Sequence, residues 1–430
     1  MKDIATYALE ALKKAGADKA AVQAEQSRKD EFNVEANQFT LLRTLFNDSL
    51  RLKVLKDGKK GVTVINKLDK ESVDKAVADC VNLAAQGTPD EAEDIAPLAE
   101  NKDFDTRAGG FDPAKLFSRS KEYLEQLKTD YPKIILDGMT AVFNSSNTTY
   151  ANSNGVLFNS LAERYNAGSS FAAVEGEKTS SFQYYYSVLN NLDTPLIDLG
   201  LTRTLLDEAV RSITPRMFDG KHVGKVIVTP ACADMLWYTL LGCFLDDFAL
   251  IQGTSRWKDA LNTKVVSDKL TLRTAPLHPQ IIGGERFTDD GFESQNADLI
   301  KDGVLKSFML SQYAANKTGQ PRALNTAAYN IEVAPGDAAL ADLIKGVDRG
   351  ILINRFSGAS PGPSGDVSGV AKNSFLIENG QVADALVETM VSFNLVDALN
   401  NIVGISKETN ADGYTVLPWV CLDGVTISGK

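Results

Sequence analysis

The sequence predicts an α+β protein with two domains, each built on an antiparallel sheet with helices packed on it. Three observations favour this fold class: the first 86 residues read as helix, strands and helix, residues 134–189 read as a β meander, and two hairpins in the second half share one pattern. A chain of 430 residues is long enough for two domains. We place them at residues 1–220 and 221–430.

The first domain opens with an amphipathic helix predicted over residues 3–15, where apolar residues recur at helical spacing. Asp57-Gly58 is typical of a hairpin turn. Strands are predicted at 20–25, 31–36, 49–56 and 61–66, and a second helix at 69–86. Residues 87–107 are acidic and poor in large apolar side chains, which favours a surface connector.

A third helix is predicted over residues 112–130, because Asp112 and Pro113 suit the N-cap and first helical positions. Strands of a meander follow, and a fourth helix is predicted at 199–213. The turn signals within the meander are Asn154-Gly155, Gly168 and Gly176. The run Tyr184-Tyr185-Tyr186 is explained by alternation along a strand, with a stacking surface for a ligand as the alternative.

The second domain begins with an apolar strand at 226–228 and a predicted helix over 231–249. Its two similar hairpins, at 299–310 and 375–387, each read as apolar strand, turn with an acidic residue and glycine, and apolar strand. The chain contains no GxGxxG and no Walker loop. An antiparallel sheet is therefore favoured over a doubly wound nucleotide-binding fold.

Residues 350–405 carry the most specific pattern. A strand at 351–354 runs into a Gly/Ser/Pro loop, the hairpin turns on Glu378-Asn379-Gly380, and an amphipathic helix is predicted at 395–402. This order resembles the C-terminal signature of the TldD/PmbA family, also called modulators of DNA gyrase. The resemblance implies a choice between two types: a TldD-type zinc-peptidase subunit and a PmbA/TldE-type partner that lacks the metal motif.

The catalytic type, as the resemblance implies, has an HExxxH helix just after a strand at the start of the C-terminal half. Such a site needs two imidazoles one helical turn apart and a carboxylate as general base. The matching segment here, residues 231–245, contains neither histidine nor glutamate. We therefore expect no zinc in this chain and expect the zinc in a TldD-type partner.

The remaining candidate ligands do not form a local metal motif. His222 and His278 are far apart in sequence and are predicted to be solvated or satisfied by one hydrogen bond. The cysteines contain no CxxC pair and lie in apolar runs, so they are predicted to be small buried residues. They are Cys80, Cys232, Cys243 and Cys421.

The Gly/Ser/Pro loop also matches the GxSxG pattern of a nucleophile elbow, centred on Ser360. The next residue, Pro361, has no N–H to donate to an oxyanion, so we predict that Ser360 is not a nucleophile. The loop instead offers candidate cleft-lining side chains, with a purely structural cluster of turns as the alternative. These candidates are Arg355, Ser357, Ser364 and Asp366.

A formal net charge of −11 and the lack of a basic block with interleaved aromatics disfavour direct binding to nucleic acid. The N-terminus does not read as a signal peptide, and no run approaches the ~18–20 apolar residues that span a bilayer. Cysteines without a spacing pattern suit a reducing compartment. We expect a cytoplasmic protein with no membrane partner.

Three functions stay open. The first, favoured by the resemblance, is a metal-free subunit that completes a TldD-type peptidase acting on small or unfolded peptides. It would form a heterodimer with its homologue, or a homodimer when alone. The second is a binding protein acting on DNA gyrase or a toxin–antitoxin system. The third is an independent hydrolase with an unrecognised site. Copurification with the homologue would favour the first function, and a stable complex with a non-homologous protein would favour the second. Activity of the pure chain that resists a chelator would favour the third.

Overall fold

A computed structural model describes residues 1–358, 361–387 and 389–429 of the protein. The helices of its first half are α1 Lys2–Lys14, α2 Lys70–Gln86, α3 Pro113–Asp130 and α4 Thr202–Arg211. The strands are β1 Lys19–Glu35, β2 Gln38–Lys56, β3 Lys59–Ile65, β4 Lys102–Thr106, β5 Ile134–Asn152, β6 Leu157–Glu175, β7 Lys178–Thr179 and β8 Gln183–Leu189. A 3₁₀ turn occupies Leu196–Asp198.

The helices of the second half are α5 Asp247–Ile251, α6 Gln312–Thr318, α7 Leu340–Lys345 and α8 Leu395–Asn400. Its strands are β9 Arg216–Met217, β10 Lys221–Val228, β11 Leu272–Thr274, β12 Ala297–Lys301, β13 Val304–Leu305, β14 Ile331–Val333, β15 Arg349–Gly358, β16 Asp366–Glu378, β17 Gln381–Val387, β18 Thr389–Asn394, β19 Ile402–Ala411 and β20 Val416–Ser428. The predicted α+β class is confirmed.

The first sheet has the order β3-β2-β1-β5-β6-β4, with β7 and β8 also paired to β6. Alternate residues of β1 face the helices, Val22 towards α1 and α2 and Phe32 towards α3 and α4. The prediction of two separate strands at 20–25 and 31–36 was wrong, because β1 is continuous. Its polar middle is held in register by β2 on one side and β5 on the other, which outweighs its weak strand propensity.

Two further expectations for this half were wrong. The connector at 87–107 contains β4, which pairs parallel to β6. Gly168 is not in a turn but lies within β6 opposite Tyr186, where an added Cβ would come 2.8 Å from the Tyr186 ring. Glycine there makes room for the aromatic side chain. The alternation predicted for the tyrosine run is confirmed, since Tyr185 is buried while its two neighbours are exposed.

The second sheet has the order β13-β12-β11-β14-β20-β10-β15-β16-β17-β9, with β18 on β16 and β20 and β19 on β20. Its pairs are mostly antiparallel; the parallel ones are β10–β15, β14–β20 and β9–β17. Both predicted hairpins are present, and their turns contain Asp302-Gly303 and Asn379-Gly380 with positive φ. Cores lie on both faces of this sheet.

The single helix predicted over residues 231–249 was wrong. The chain after β10 makes a 3₁₀ turn at Pro230–Cys232 and π-helical turns at Asp234–Tyr238 and Leu241–Leu245. It stops at Asp246, whose extended backbone and carboxylate, accepting from the Ala249 N–H at 2.8 Å, begin α5. Residues 230–245 are called the broken helix below.

The second sheet is docked on the first through β8 and α4. The Asn354 amide donates to the Glu208 carboxylate at 2.7 Å, and the Tyr185 hydroxyl donates to Asn410 at 3.1 Å. Within the described ranges, no helix has the length and apolarity that crossing a membrane requires. The division at residue 220/221 stays a prediction.

Candidate functional site

The outer part of β15 offers an unpaired strand edge. β10 pairs with β15 only from Gly350 to Ile353, and the Thr229 N–H then donates to the Ile353 carbonyl at 3.1 Å. Beyond that point β16 pairs with one edge of β15, and no strand among the described residues pairs with the other. Residues 354–358 therefore keep main-chain donors and acceptors available for a further strand.

A cleft of about 600 Å³ lies along this edge, between β15 and the broken helix. Three consecutive residues of β15 line it, Phe356, Ser357 and Gly358. Because neighbouring residues of a strand point to opposite faces, this lining means that the strand meets the cleft with its backbone edge. The opposite wall and floor are Met235, Tyr238, Thr239, Gly242, Cys243, Pro361 and Val367. We call this space the edge cleft.

The described side chains that line the edge cleft are uncharged. The Cys243 thiol donates to the Pro361 carbonyl at 3.4 Å, and burial raises its pKa, with Asp246 adding a smaller effect in the same direction. A thiol held protonated is a poor nucleophile and a poor metal ligand. Gly242 adds open space, because a Cβ built there would meet nothing within 4 Å. This arrangement suits an extended, uncharged main chain.

The four candidate residues from the sequence lie in three places. Ser357 lines the edge cleft. Ser364 and Asp366 are brought together by the Asn394 side-chain amide, which donates to the Ser364 carbonyl and to the Asp366 carboxylate, both at 2.9 Å. This contact holds the pKa of Asp366 below its usual range. Asn394 is also the N-cap of α8, so this pair is tied to a helix end.

Arg355 points instead to the first sheet. Its guanidinium donates to the Phe182 carbonyl at 3.1 Å and lies 3.9 Å from the centre of the Phe182 ring. The Asn373 amide donates to the same carbonyl at 2.9 Å. Whether Arg355, Ser357, Ser364 or Asp366 contacts a peptide stays a prediction. Ser360 lies outside the described residues, and so does the prediction made for it.

The residues present do not fit a zinc ion. Each histidine makes a hydrogen bond with a backbone group: His222 Nε2 donates to the Arg349 carbonyl at 3.1 Å, and His278 Nδ1 accepts from the Gln280 N–H at 3.2 Å. Across the described part of the chain, no group of three or more His, Cys, Asp or Glu side chains is placed to hold a metal. Cys80, Cys232 and Cys421 are buried and Cys243 half-buried.

The wall of the edge cleft was not predicted from the sequence, because the residues of the broken helix that form it are not metal ligands. Gly242 was the available signal. A glycine inside an apolar helix costs about 1 kcal/mol relative to alanine, and so its presence there favours a functional or packing reason.

Comparison with known proteins identifies relatives of this chain. Residues 221–429, which contain the broken helix and β15, match the model of the PmbA/TldA metallopeptidase C-terminal domain. Residues 221–429 therefore form a PmbA/TldD family domain. A metalloprotease PmbA homolog from Haemophilus influenzae is 22% identical over 397 residues, covering 89% of this chain and 86% of that protein.

Two solved structures of the family's fold cover the whole chain. TldE from Thermococcus kodakarensis superposes with a TM-score of 0.85 at 18% identity, covering 100% of both chains. A protein from Bacteroides thetaiotaomicron described as a modulator of DNA gyrase superposes with a TM-score of 0.87 at 22% identity, covering 100% of this chain and 99% of that one. At these identities the likeness establishes the shared PmbA/TldD fold.

Proposed function

We propose that this chain is the metal-free, PmbA/TldE-like subunit of a two-subunit metallopeptidase that degrades or processes small or unfolded peptides. A TldD-type homologue supplies zinc, the general base and the attacking water. This chain supplies a wall of the peptide-binding compartment and no catalytic group.

The proposal is carried by one observation: an unpaired strand edge, residues 354–358, opens into a cleft beside a segment with neither histidine nor glutamate. A peptide adding to a strand edge is held by main-chain hydrogen bonds and therefore tolerates many sequences. The neutral Cys243 and the space above Gly242 fit an extended peptide better than they fit a metal site or a charged small ligand.

Elemental analysis of the purified chain tests the metal-free assignment. We expect no stoichiometric zinc in this chain and about one zinc per pair in a complex with a TldD-type homologue. One tightly bound zinc in the chain alone, lost in His222→Ala or His278→Ala, would overturn the assignment. Peptidase activity of the pure chain that resists a chelator would favour an independent hydrolase instead.

A peptide-binding measurement tests the edge cleft separately. A fluorescently labelled, unstructured peptide should bind the two-subunit complex and be competed by unrelated extended peptides. Competition that follows side-chain sequence strictly would contradict recognition by main-chain bonds.

A further inference from the structure

The outer part of β2, residues 38–47, is a second unpaired edge. β3 pairs with β2 only from Leu50 to Lys56, and β1 pairs with the inner edge along the whole strand. Within the described residues, no strand covers the outer edge of β2 before Leu50. We call residues 38–47 the arm strand.

The arm strand combines this edge with large apolar side chains. The exposed ones are Phe39, Leu41, Leu42, Leu45 and Phe46. Leu42 is 73% and Phe46 is 76% exposed. An apolar edge of this length that stays exposed is a surface for association with another chain.

Three of these side chains, Phe39, Leu42 and Phe46, form a patch on the helix-bearing face of the sheet, whereas Leu41 and Leu45 lie on the other face. Leu42 pairs with Phe32 across β1 and β2, and Phe46 lies four residues further along on the same face. The Phe39 and Phe117 rings, the latter from α3, have centroids 4.7 Å apart. The patch therefore continues from the strand onto a helix.

The residues that usually prevent a strand edge from pairing with another chain, proline and charged side chains, are nearly absent from the arm strand. The segment 38–47 contains no proline, lysine, aspartate or glutamate, and Arg43 is its only charged residue. The Arg43 guanidinium is tied to Glu31 of β1, with Nε 2.9 Å from the carboxylate. Its charge is therefore already paired within the chain.

We propose that the arm strand pairs antiparallel with the arm strand of a second copy of this chain, about a twofold axis at Thr44. An axis perpendicular to the sheet keeps equivalent faces together and sets one residue opposite its own copy. An axis at Thr44 sets Leu42 opposite Phe46 of the second copy and Phe46 opposite Leu42 of that copy. The two most exposed large apolar side chains of the arm strand thus cover each other twice.

The neighbouring registers fit less well. An axis at Arg43 leaves Leu42 opposite Thr44 and Phe46 opposite Thr40. An axis at Leu42 leaves Phe46 opposite Gln38, and an axis at Leu45 leaves it opposite Thr44. This self-complementarity selects a second copy as the occupant. The inference is independent of the proposed function, because it concerns the first sheet and not the edge cleft.

Disulfide trapping tests the register, in a Cys243→Ser background because the other three native cysteines are buried. Directly opposed residues have Cα atoms about 4.5–5.5 Å apart, within reach of a disulfide. Thr44→Cys should therefore give a disulfide-linked dimer on mild oxidation. Leu41→Cys is the control, because its own copy would lie about 20 Å away along the strand. Equal linking of both variants, or of neither, would overturn the register.

Sedimentation of the intact chain tests the association itself. Leu42→Arg should weaken the dimer by about two orders of magnitude, since a symmetric interface contains the substitution twice. Leu98→Arg is the matched control, because Leu98 is 74% exposed but lies outside the arm strand, and it should sediment like the unaltered chain. A monomer at all concentrations, a dimer unaffected by Leu42→Arg, or use of the arm strand only by a TldD-type homologue would each overturn the proposal.

Discussion

Two half-strands of this molecule, the end of β15 and the start of β2, have the same backbone feature and different surroundings. Each presents an outer edge without a strand partner among the described residues. The edge of β15 lies inside a cleft whose wall includes Thr239, Gly242 and Cys243. The edge of β2 is open to solvent and carries Leu42 and Phe46.

Under the two proposals, the surroundings of a strand edge decide which partner it takes. Both edges offer the same main-chain hydrogen bonds. A confined cleft with open space above Gly242 leaves an incoming peptide free to vary and to dissociate, which suits a substrate. Large apolar neighbours without confinement favour a lasting partner that buries them.

Filling the confined edge should have the largest effect. Gly242→Phe should lower peptide processing by the two-subunit complex at least about a hundredfold, because the ring occupies the space the peptide needs. Gly242→Ala is the matched control; it should retain activity and stabilise the chain by about 0.5–1 kcal/mol. Steady-state peptidase assays and urea unfolding measure the two effects. Full activity of Gly242→Phe would show that peptides do not use this edge.

The edge of β15 begins at Asn354, which is anchored by a buried acid. Burial raises the pKa of Glu208 to about 7, with the Asn354 hydrogen bond opposing this. Between its ordinary value of 4.5 and about 7, the folded state therefore holds a proton that the unfolded state has lost. The stability that this protonated acid contributes to the folded state is fully present below about pH 4.5 and is lost as the pH rises through about 7.

Glu208→Gln should remove this pH dependence while keeping an oxygen for Asn354. At pH 8 the variant should be more stable than the unaltered chain by up to about 3 kcal/mol, and at pH 4 the two should agree. Unfolding free energies across this range measure the difference. Burial also raises the pKa of Glu285 to about 7. Because Glu285 is present in both proteins, its contribution cancels in the difference between their unfolding free energies. If the unfolding free energies of the two proteins changed in parallel between pH 4 and pH 8, that result would contradict a neutral Glu208.

Arg355 distinguishes a docking contact from a peptide contact. Loss of its hydrogen bond and ring contact with Phe182 in Arg355→Ala should destabilise the chain by about 1 kcal/mol. The KM of the two-subunit complex should not change. An unaltered unfolding free energy together with a raised KM would instead show that Arg355 acts on peptides, as the loop's polarity first suggested.

The smallest effect is expected at the open edge. Leu42→Arg should change the unfolding free energy of the dilute, dissociated chain by less than about 0.5 kcal/mol, because Leu42 contributes little to the core of a single copy. A loss of several kcal/mol in that measurement would mean that Leu42 is part of the core.

The sequence was most informative where structure is local. The turns at Asp57-Gly58, Asp302-Gly303 and Asn379-Gly380 all adopt positive φ as their residue types predict. The cap at Asp112 was likewise predictable, and its carboxylate accepts from the Lys115 N–H at 2.9 Å. These features depend on a few neighbouring residues.

Features that depend on distant contacts were missed. β1 runs through a polar stretch because β2 and β5 pair with it on both sides. The helix after β10 is broken by π-helical turns and by Asp246, which no periodicity indicates. The loop's polar residues were identified by type, but the contact of Arg355 with Phe182 joins the two sheets and could not be read from the loop alone.

Mixing this chain with a purified TldD-type homologue tests the central claim most directly. Size-exclusion chromatography and a peptidase assay should be run on each subunit and on the mixture. The account predicts one mixed species that cleaves unstructured peptides, and no cleavage by either subunit alone. Equal cleavage by the homologue without this chain would contradict the proposed role.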